Sequence, residues 1–335
     1  MTGRELKHPS VAQTHWRDQL KAAFSRPEAL LAHLGLDDQG RIVDGHAPFP
    51  MRVPRAFAER MRPGDWQDPL LQQVLPTQQE RQIMPGFAND PVGDQAAKSA
   101  RGVLHKYHGR ALLITTGACA VHCRYCFRQH FPYASEHASG AFSQAAIDYI
   151  AQTPSVEEVI LSGGDPLMLA TDRLERLTQQ LSEVEHIKRF RIHTRLPIVL
   201  PDRVTQALTD WLTRLPWPSV MVVHANHAQE FDNSVDQALA ALQSTGTTIL
   251  NQAVLLRGIN DNLAALTELM ERSFQAGALP YYLHRLDRVA GSAHFDLDTA
   301  DGLTLMDGLR RRLSGYLVPR FVEERAGEPY KVPLL

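Results

Sequence analysis

The stretch "LLITTGACAVHCRYCFRQHF", residues 112–131, decides the fold and narrows the chemistry. A β-branched apolar run leads into a loop that holds all three cysteines of the chain, Cys119, Cys123 and Cys126. The C-x3-C-x2-C spacing brings three thiolates onto one short loop, close enough to serve a single metal centre. A structural zinc site with His122 or His130 as fourth ligand is the plain alternative. Such sites usually draw on two separated ligand pairs, and this chain has no second pair. Thiolates suit iron–sulfur clusters, and three of them leave one iron of a [4Fe–4S] cube without a protein ligand, open to a small chelating molecule.

The run that feeds this loop is the first of a series. Strand candidates follow at 111–117, 157–163, 190–195, 220–226, 247–255 and 280–286. Amphipathic stretches at 143–152, 171–184, 203–215, 234–244 and 261–276 separate them. Six βα units in series predict a parallel sheet with right-handed crossovers. Periodicity alone leaves a doubly wound sheet open. The polar residues favour a partial (βα)6 barrel of the TIM type, because they gather at the C-terminal ends of the strands: the cysteines, "SGGD", "HTR", "HAN", "NQ" and "HRLD". That rim is where βα barrels build active sites.

Residues 1–104 read as a mainly helical and loop extension, with helical stretches such as "WRDQLKAAF" and "DPLLQQVLP" broken by Pro and Gly rather than a sheet. Residues 105–290 carry the barrel, and 291–335 a C-terminal helix and a closing segment. With 44% hydrophobic and 21% charged residues and a formal net charge of −2, the composition is that of a globular protein without the basic face that nucleic acid requires. No apolar run approaches a membrane span, and "MTGRELKHPS" offers no export signal. Clustered, odd-numbered cysteines point to a reducing compartment, so the expected location is the cytoplasm.

The C-x3-C-x2-C spacing, with Tyr125 before the last cysteine, resembles the radical S-adenosylmethionine (SAM) superfamily. "LSGGDPL" and "RIHTRLP" resemble its glycine-rich and ribose segments. The resemblance implies Gly163, Gly164 and Asp165 near the SAM amino group, His193 and Arg195 near its ribose and carboxylate, and Tyr125 beside the cofactor. It also implies an electron donor of flavodoxin or similar type.

Only six lysines stand against 29 arginines, and two of the six, Lys106 and Lys331, lie in "HKYHGRALLI" and "GEPYKVPLL". A lysine near a chain end is ordinarily a frayed charge, but "GYLVPRFVEERAGEPYK" reads as structured. A desolvated lysine can hold pyridoxal 5′-phosphate (PLP).

From about residue 105 the chain resembles the lysine 2,3-aminomutases. The segments include "LLITTGACAVHCRYCFR", "NQAVLLRGIND", "PYYLHRLDRVAGSAHF" and "SGYLVPRFVEE". The resemblance implies an isomerase that uses a [4Fe–4S] cluster, SAM and PLP to turn L-α-lysine into β-lysine. It puts PLP on Lys331, its phosphate beside Lys106, Tyr107 and Arg110, the substrate carboxylate on Arg128, and the side-chain ammonium on Asp287 and Glu324, the last in place of an aspartate. The short form and "LHKYHGRALL" resemble the branch that supplies β-lysine, through a separate ligase, to elongation factor P. A homo-oligomer is left open. Two rivals remain: a radical SAM enzyme without PLP acting on another amino acid, a peptide or RNA, and a zinc-stabilised interaction module.

Overall fold

A computed structural model describes residues 15–38, 40, 50–133 and 144–335. The N-terminal decapeptide inspected for an export signal, and the first residue of the 143–152 helix, lie outside them.

The strands form a ten-stranded sheet whose order is the order of the chain. β1 (Lys98–Ala100) and β2 (Val103–Tyr107) form a hairpin, and β2 pairs antiparallel with β3 (Arg110–Thr116). From β3 the pairing is parallel through β4 (Glu158–Gly163), β5 (Arg189–Thr194), β6 (Ser219–Val223), β7 (Thr248–Val254) and β8 (Leu279–His284). A seventh parallel strand, β9 (Arg320–Glu323), pairs with β8, and β10 (Val332–Pro333) closes back on β9 antiparallel. A doubly wound sheet would reverse its strand order at a switch point. This sheet never does, so the fold is the open, partial barrel.

The crossover helices form where the apolar period predicts, at Gln144–Ala151, Thr171–Ser182, Gln206–Thr213, Asn233–Gln243 and Leu263–Gln275. Leu174, Leu177 and Leu181 recur on one face and are buried. Side chains with free acceptors start the later helices: Asp232 accepts from Val235 N at 3.0 Å and Asn262 from Ala265 N at 2.9 Å. Along β5 the strand period of two sends Phe190 and Ile192 into the apolar core, while Arg191 and His193 line the central pocket.

The segment before the hairpin contains short helices, among them Trp16–Lys21 and Pro69–Gln72. The sheet reaches a few residues further upstream than the helical reading of 1–104 allows, since β1 starts at Lys98. Among the described residues no helix is long and apolar enough to cross a membrane.

Candidate active site

β3 ends at Thr116, and the cysteine loop follows it across the top of the barrel. The loop is short of regular structure and is held from outside. His122 N donates to Arg52 O at 3.0 Å, Arg124 N donates to Gln73 O at 3.0 Å, and Arg52 Nη1 donates to Cys119 O at 3.3 Å. The buried Arg124 side chain donates to Gln72 O at 2.9 Å and to Thr77 Oγ1 at 2.8 Å, and it pairs with Glu80. The N-terminal segment thus grips the loop from one side.

The glycine pair grips it from the other. Gly164 N donates to Thr116 O at 2.7 Å and Asp165 N to Ala118 O at 2.8 Å. Gly163 has φ +119°, and a Cβ on Gly164 would sit 2.5 Å from Ala118 O. Two bare residues are required so that the β4 turn can lie directly on the cysteine loop.

Asp165 turns its carboxylate inward. Oδ1 accepts from Leu167 N and Thr194 Oγ1, Oδ2 from Arg195 N and Leu196 N, at 2.7–3.1 Å. The side chain expected near SAM therefore ties the turns after β4 and β5 together.

Cys119, Cys123 and Cys126 line one wall of a pocket inside the barrel mouth. Burial and the neighbouring thiols push the Cys126 thiol up to about 12 and Cys119 well above its usual value. Crowded neutral thiols of this kind become thiolates only beside a strong positive charge, and bound iron supplies one. Among the described residues no three His, Cys, Asp or Glu side chains converge on a point that would hold a single metal ion. Arg195 Nη1 lies 2.7 Å from Cys123 Sγ and 2.7 Å from the Tyr125 hydroxyl, while Nη2 donates to Gln73 Oε1 at 2.7 Å and Glu230 Oε2 at 2.9 Å. Arg195 and Tyr125 are consequently parts of a buried network under the cysteine loop. Gln73, Glu230 and Asn226 complete it.

The same pocket is also lined by charged groups. Arg128 Nε donates to Asp94 Oδ2 at 2.6 Å and Nη1 to Ser162 Oγ at 3.1 Å. Lys106 Nζ lies 2.6 Å from Asp94 Oδ1, an ion pair bent away from hydrogen-bond geometry, and 2.8 Å from Glu324 Oε1. Glu324 Oε2 accepts from Lys331 Nζ at 2.5 Å. Burial opposes the Glu324 charge, but Lys331 and Lys106 outweigh it and hold the carboxyl well below its usual range. Glu324 is thus occupied by two lysines, and Lys106, expected beside a phosphate, by two carboxylates.

Asp287 makes no side-chain hydrogen bond or ion pair among the described residues. Burial and the nearby Glu324 charge push it up to about 7. Arg110 stacks its guanidinium 4.6 Å from the Tyr107 ring centre, and both line the pocket with Lys331.

Three histidines complete the wall. His193, His224 and His284 line the pocket, and their Nε2 atoms, with Gln252 Oε1, are buried without partners. Burial lowers all three, His224 to about 3, so they stay neutral. Unpaired polar atoms in a dry wall are costly unless a polar ligand meets them. With the crowded thiols and the lysine at the far side, this donor set fits a cluster, a nucleoside sulfonium and a phosphorylated aldehyde in one chamber.

Sequence reasoning missed Asp94, Gln73, Glu80 and Glu230, whose roles exist only through contacts between distant segments. His224, Gln252 and His284 stand inside the quoted rim motifs, and their position at strand ends was the available signal.

Residues 108–194 match the model of a 4Fe-4S single cluster domain. The L-lysine 2,3-aminomutase of Escherichia coli (strain K12) is 47% identical over 322 residues, covering 95% of this chain and 94% of that protein. That of Haemophilus influenzae is 42% identical, covering 95% of each. The chain belongs to the L-lysine 2,3-aminomutase family. It is accordingly an isomerase of the radical SAM type, and the comparisons support a [4Fe–4S] cluster, SAM and PLP as its cofactors. A solved radical SAM methyltransferase from Sphaerobacter thermophilus is similar with a TM-score of 0.44 and 16% identity, covering 66% of this chain and 68% of that one.

Proposed function

We propose that this aminomutase converts L-α-lysine to β-lysine with PLP held on Lys331 and a cluster held by Cys119, Cys123 and Cys126. The observation that carries the reading is a single pocket lined by the three cysteines together with Arg128, Asp287 and Lys331. The cofactors supply radical hydrogen abstraction and a π system for nitrogen migration when bound; the chain supplies orientation and a water-poor chamber.

Arg128, fixed in its plane by two contacts, offers the free end of its guanidinium to the substrate carboxylate. Asp287 takes the ε-ammonium, whose charge restores ionisation that burial suppresses. Glu324 acts on Lys331, which it orients, and adds negative potential to the same end of the pocket. Two anions there favour lysine over glutamate, whose second carboxylate they would repel. Tyr107 and Arg110 hold the PLP phosphate. His193, His224 and Gln252 give neutral hydrogen bonds to the polar groups of SAM.

The product is proposed to serve β-lysylation of elongation factor P, a role that rests on the resemblance of "LHKYHGRALL" to that branch, and the reductant to come from a flavodoxin-type donor. The experiment is an anaerobic assay of reconstituted protein with SAM, PLP, dithionite and L-lysine, with glutamate and arginine as controls. β-Lysine formed from lysine alone is the expected result; no β-lysine in a preparation that cleaves SAM would overturn the assignment.

A further inference from the structure

Asp94 comes from the loop before β1, outside the segments that carry the barrel, yet its side chain is 2% exposed and lies on the pocket wall. The loop is built to deliver it. Asp90 Oδ1 accepts from Asp94 N and Oδ2 from Gln95 N, both at 2.9 Å. Gly93, at φ +69°, packs so tightly on Ala326 that a Cβ would lie 2.9 Å from that methyl.

The carboxylate then divides between two cations, Arg128 through Oδ2 and Lys106 through Oδ1. Lys106 is tied in turn to Val92 O at 2.8 Å and to Glu324, which holds Lys331. Five charges, two buried and three half-buried, therefore alternate in sign from Arg128 to Lys331.

We infer that Asp94 is the positioning residue that aims Arg128 at a substrate carboxylate, an inference that rests on the lysine reading above. Three features carry it. The Nε and Nη1 contacts to Asp94 and Ser162 fix the guanidinium plane and leave Nη2 without a hydrogen-bond partner among the described residues. Lys106 on the other oxygen balances the Asp94 charge, so Arg128 keeps its pull on an incoming anion. The flexible arginine stem, with about 2 kcal/mol of rotamer entropy to lose, needs such a brace if the fork is to be in place before substrate arrives. Asp94 touches Arg128 directly and Lys331 only through Lys106 and Glu324, so its direct effect falls on the carboxylate end of the ligand and the relayed part is shared by every amine.

The test compares L-lysine with cadaverine, the same diamine without the carboxylate. Holoprotein loaded with PLP is titrated anaerobically with each amine. Borohydride then fixes PLP to whichever amine holds it, and mass spectrometry counts the fraction retained on Lys331. Asp94→Asn keeps the shape and loses the charge. The expected result is a rise on the order of tenfold to a hundredfold in the L-lysine concentration for half displacement, with a much smaller shift of the cadaverine midpoint, which senses Asp94 only through Lys106 and Glu324. Cadaverine is also the folding control, since a misfolded pocket loses both. Should the variant fail to fold, Ser162→Ala, which removes the second tether alone, is expected to give a smaller, few-fold loss confined to L-lysine. Equal loss of both amines in a folded variant, or undiminished L-lysine displacement, refutes the role of Asp94 alone. A wild-type protein that retains no PLP on Lys331 refutes the functional reading and this inference with it.

Discussion

Replacing Asp287 by Asn should make the ligand-free protein more stable as the pH rises, while removing its response to lysine. Asp287 is half-buried on the pocket wall, and its carboxyl moves from 3.8 to about 7 in the fold. The cause is first desolvation and then the Glu324 charge. For an acid raised in this way the native state binds more protons than the unfolded chain between about pH 4 and pH 7. Stability therefore falls with pH across that window and levels off above it. A shift of about 3 units at about 1.4 kcal/mol each sets a ceiling of about 4 kcal/mol at pH 8.5. At pH 5.5 roughly half of that cost is already present, so the pH-dependent part between 5.5 and 8.5 is about 2 kcal/mol. Asparagine carries no charge to desolvate and escapes the cost. Unfolding followed anaerobically at both pH values should show the advantage of Asp287→Asn over wild type growing by about 2 kcal/mol, a few degrees in Tm. Saturating L-lysine should raise the wild-type midpoint and leave the variant unmoved. An advantage that stays flat with pH, or shrinks, would mean that Asp287 is not a strained carboxylate waiting for a cation.

Lys331→Ala should abolish PLP retention after borohydride reduction while leaving iron content intact, measured by mass spectrometry and metal analysis. Gly164→Ala keeps all three thiols yet drives a methyl to 2.5 Å from Ala118 O; reconstituted protein should hold less iron and sulfide, and full occupancy would contradict the close backbone contact. Asp165→Ala strands four donors that converge on one buried carboxylate, and urea unfolding should show a loss of about 2–4 kcal/mol.

The part of this protein that sequence makes legible is the part encoded locally. Cys119, Cys123 and Cys126 fall within eight residues, so their partnership needs no fold to be seen. The six βα units announce themselves because each strand is a short β-branched or apolar run and the helices repeat apolar residues every three or four positions. Glu324 illustrates the limit. Its charge and place in "FVEE" support a role at the ammonium end, but which cations it meets depends on Lys106 in β2, more than two hundred residues away, a strand paired at the opposite side of the cysteine loop. Lys106 likewise reads as a phosphate ligand from "HKY" alone, because nothing in that string reveals that Asp94 will be delivered to it. Asp165 sits in the glycine motif and is expected near the SAM amino group, whereas Leu167 N in its own turn and three donors at the end of β5 draw its carboxylate inward.

The same contrast gives the N-terminal segment its meaning. A barrel rim made only of βα loops leaves the cysteine loop with one packed side, the glycine turn of β4, and leaves Arg128 with one tether, Ser162. Gln73, Glu80 and Arg52 close the second side of the loop, and Asp94 supplies the second tether. Each acts through a backbone carbonyl or a buried ion pair rather than through apolar bulk. Deleting the segment should cost both core and geometry: Leu30, Phe57, Leu70 and Leu71 leave the apolar cluster they share with the barrel, while the thiols and the arginine lose the frame that orients them. A centre that must hold a cluster, a sulfonium and an amino acid in fixed register gains most from that frame, because a radical positioned an ångström astray loses its hydrogen to another partner.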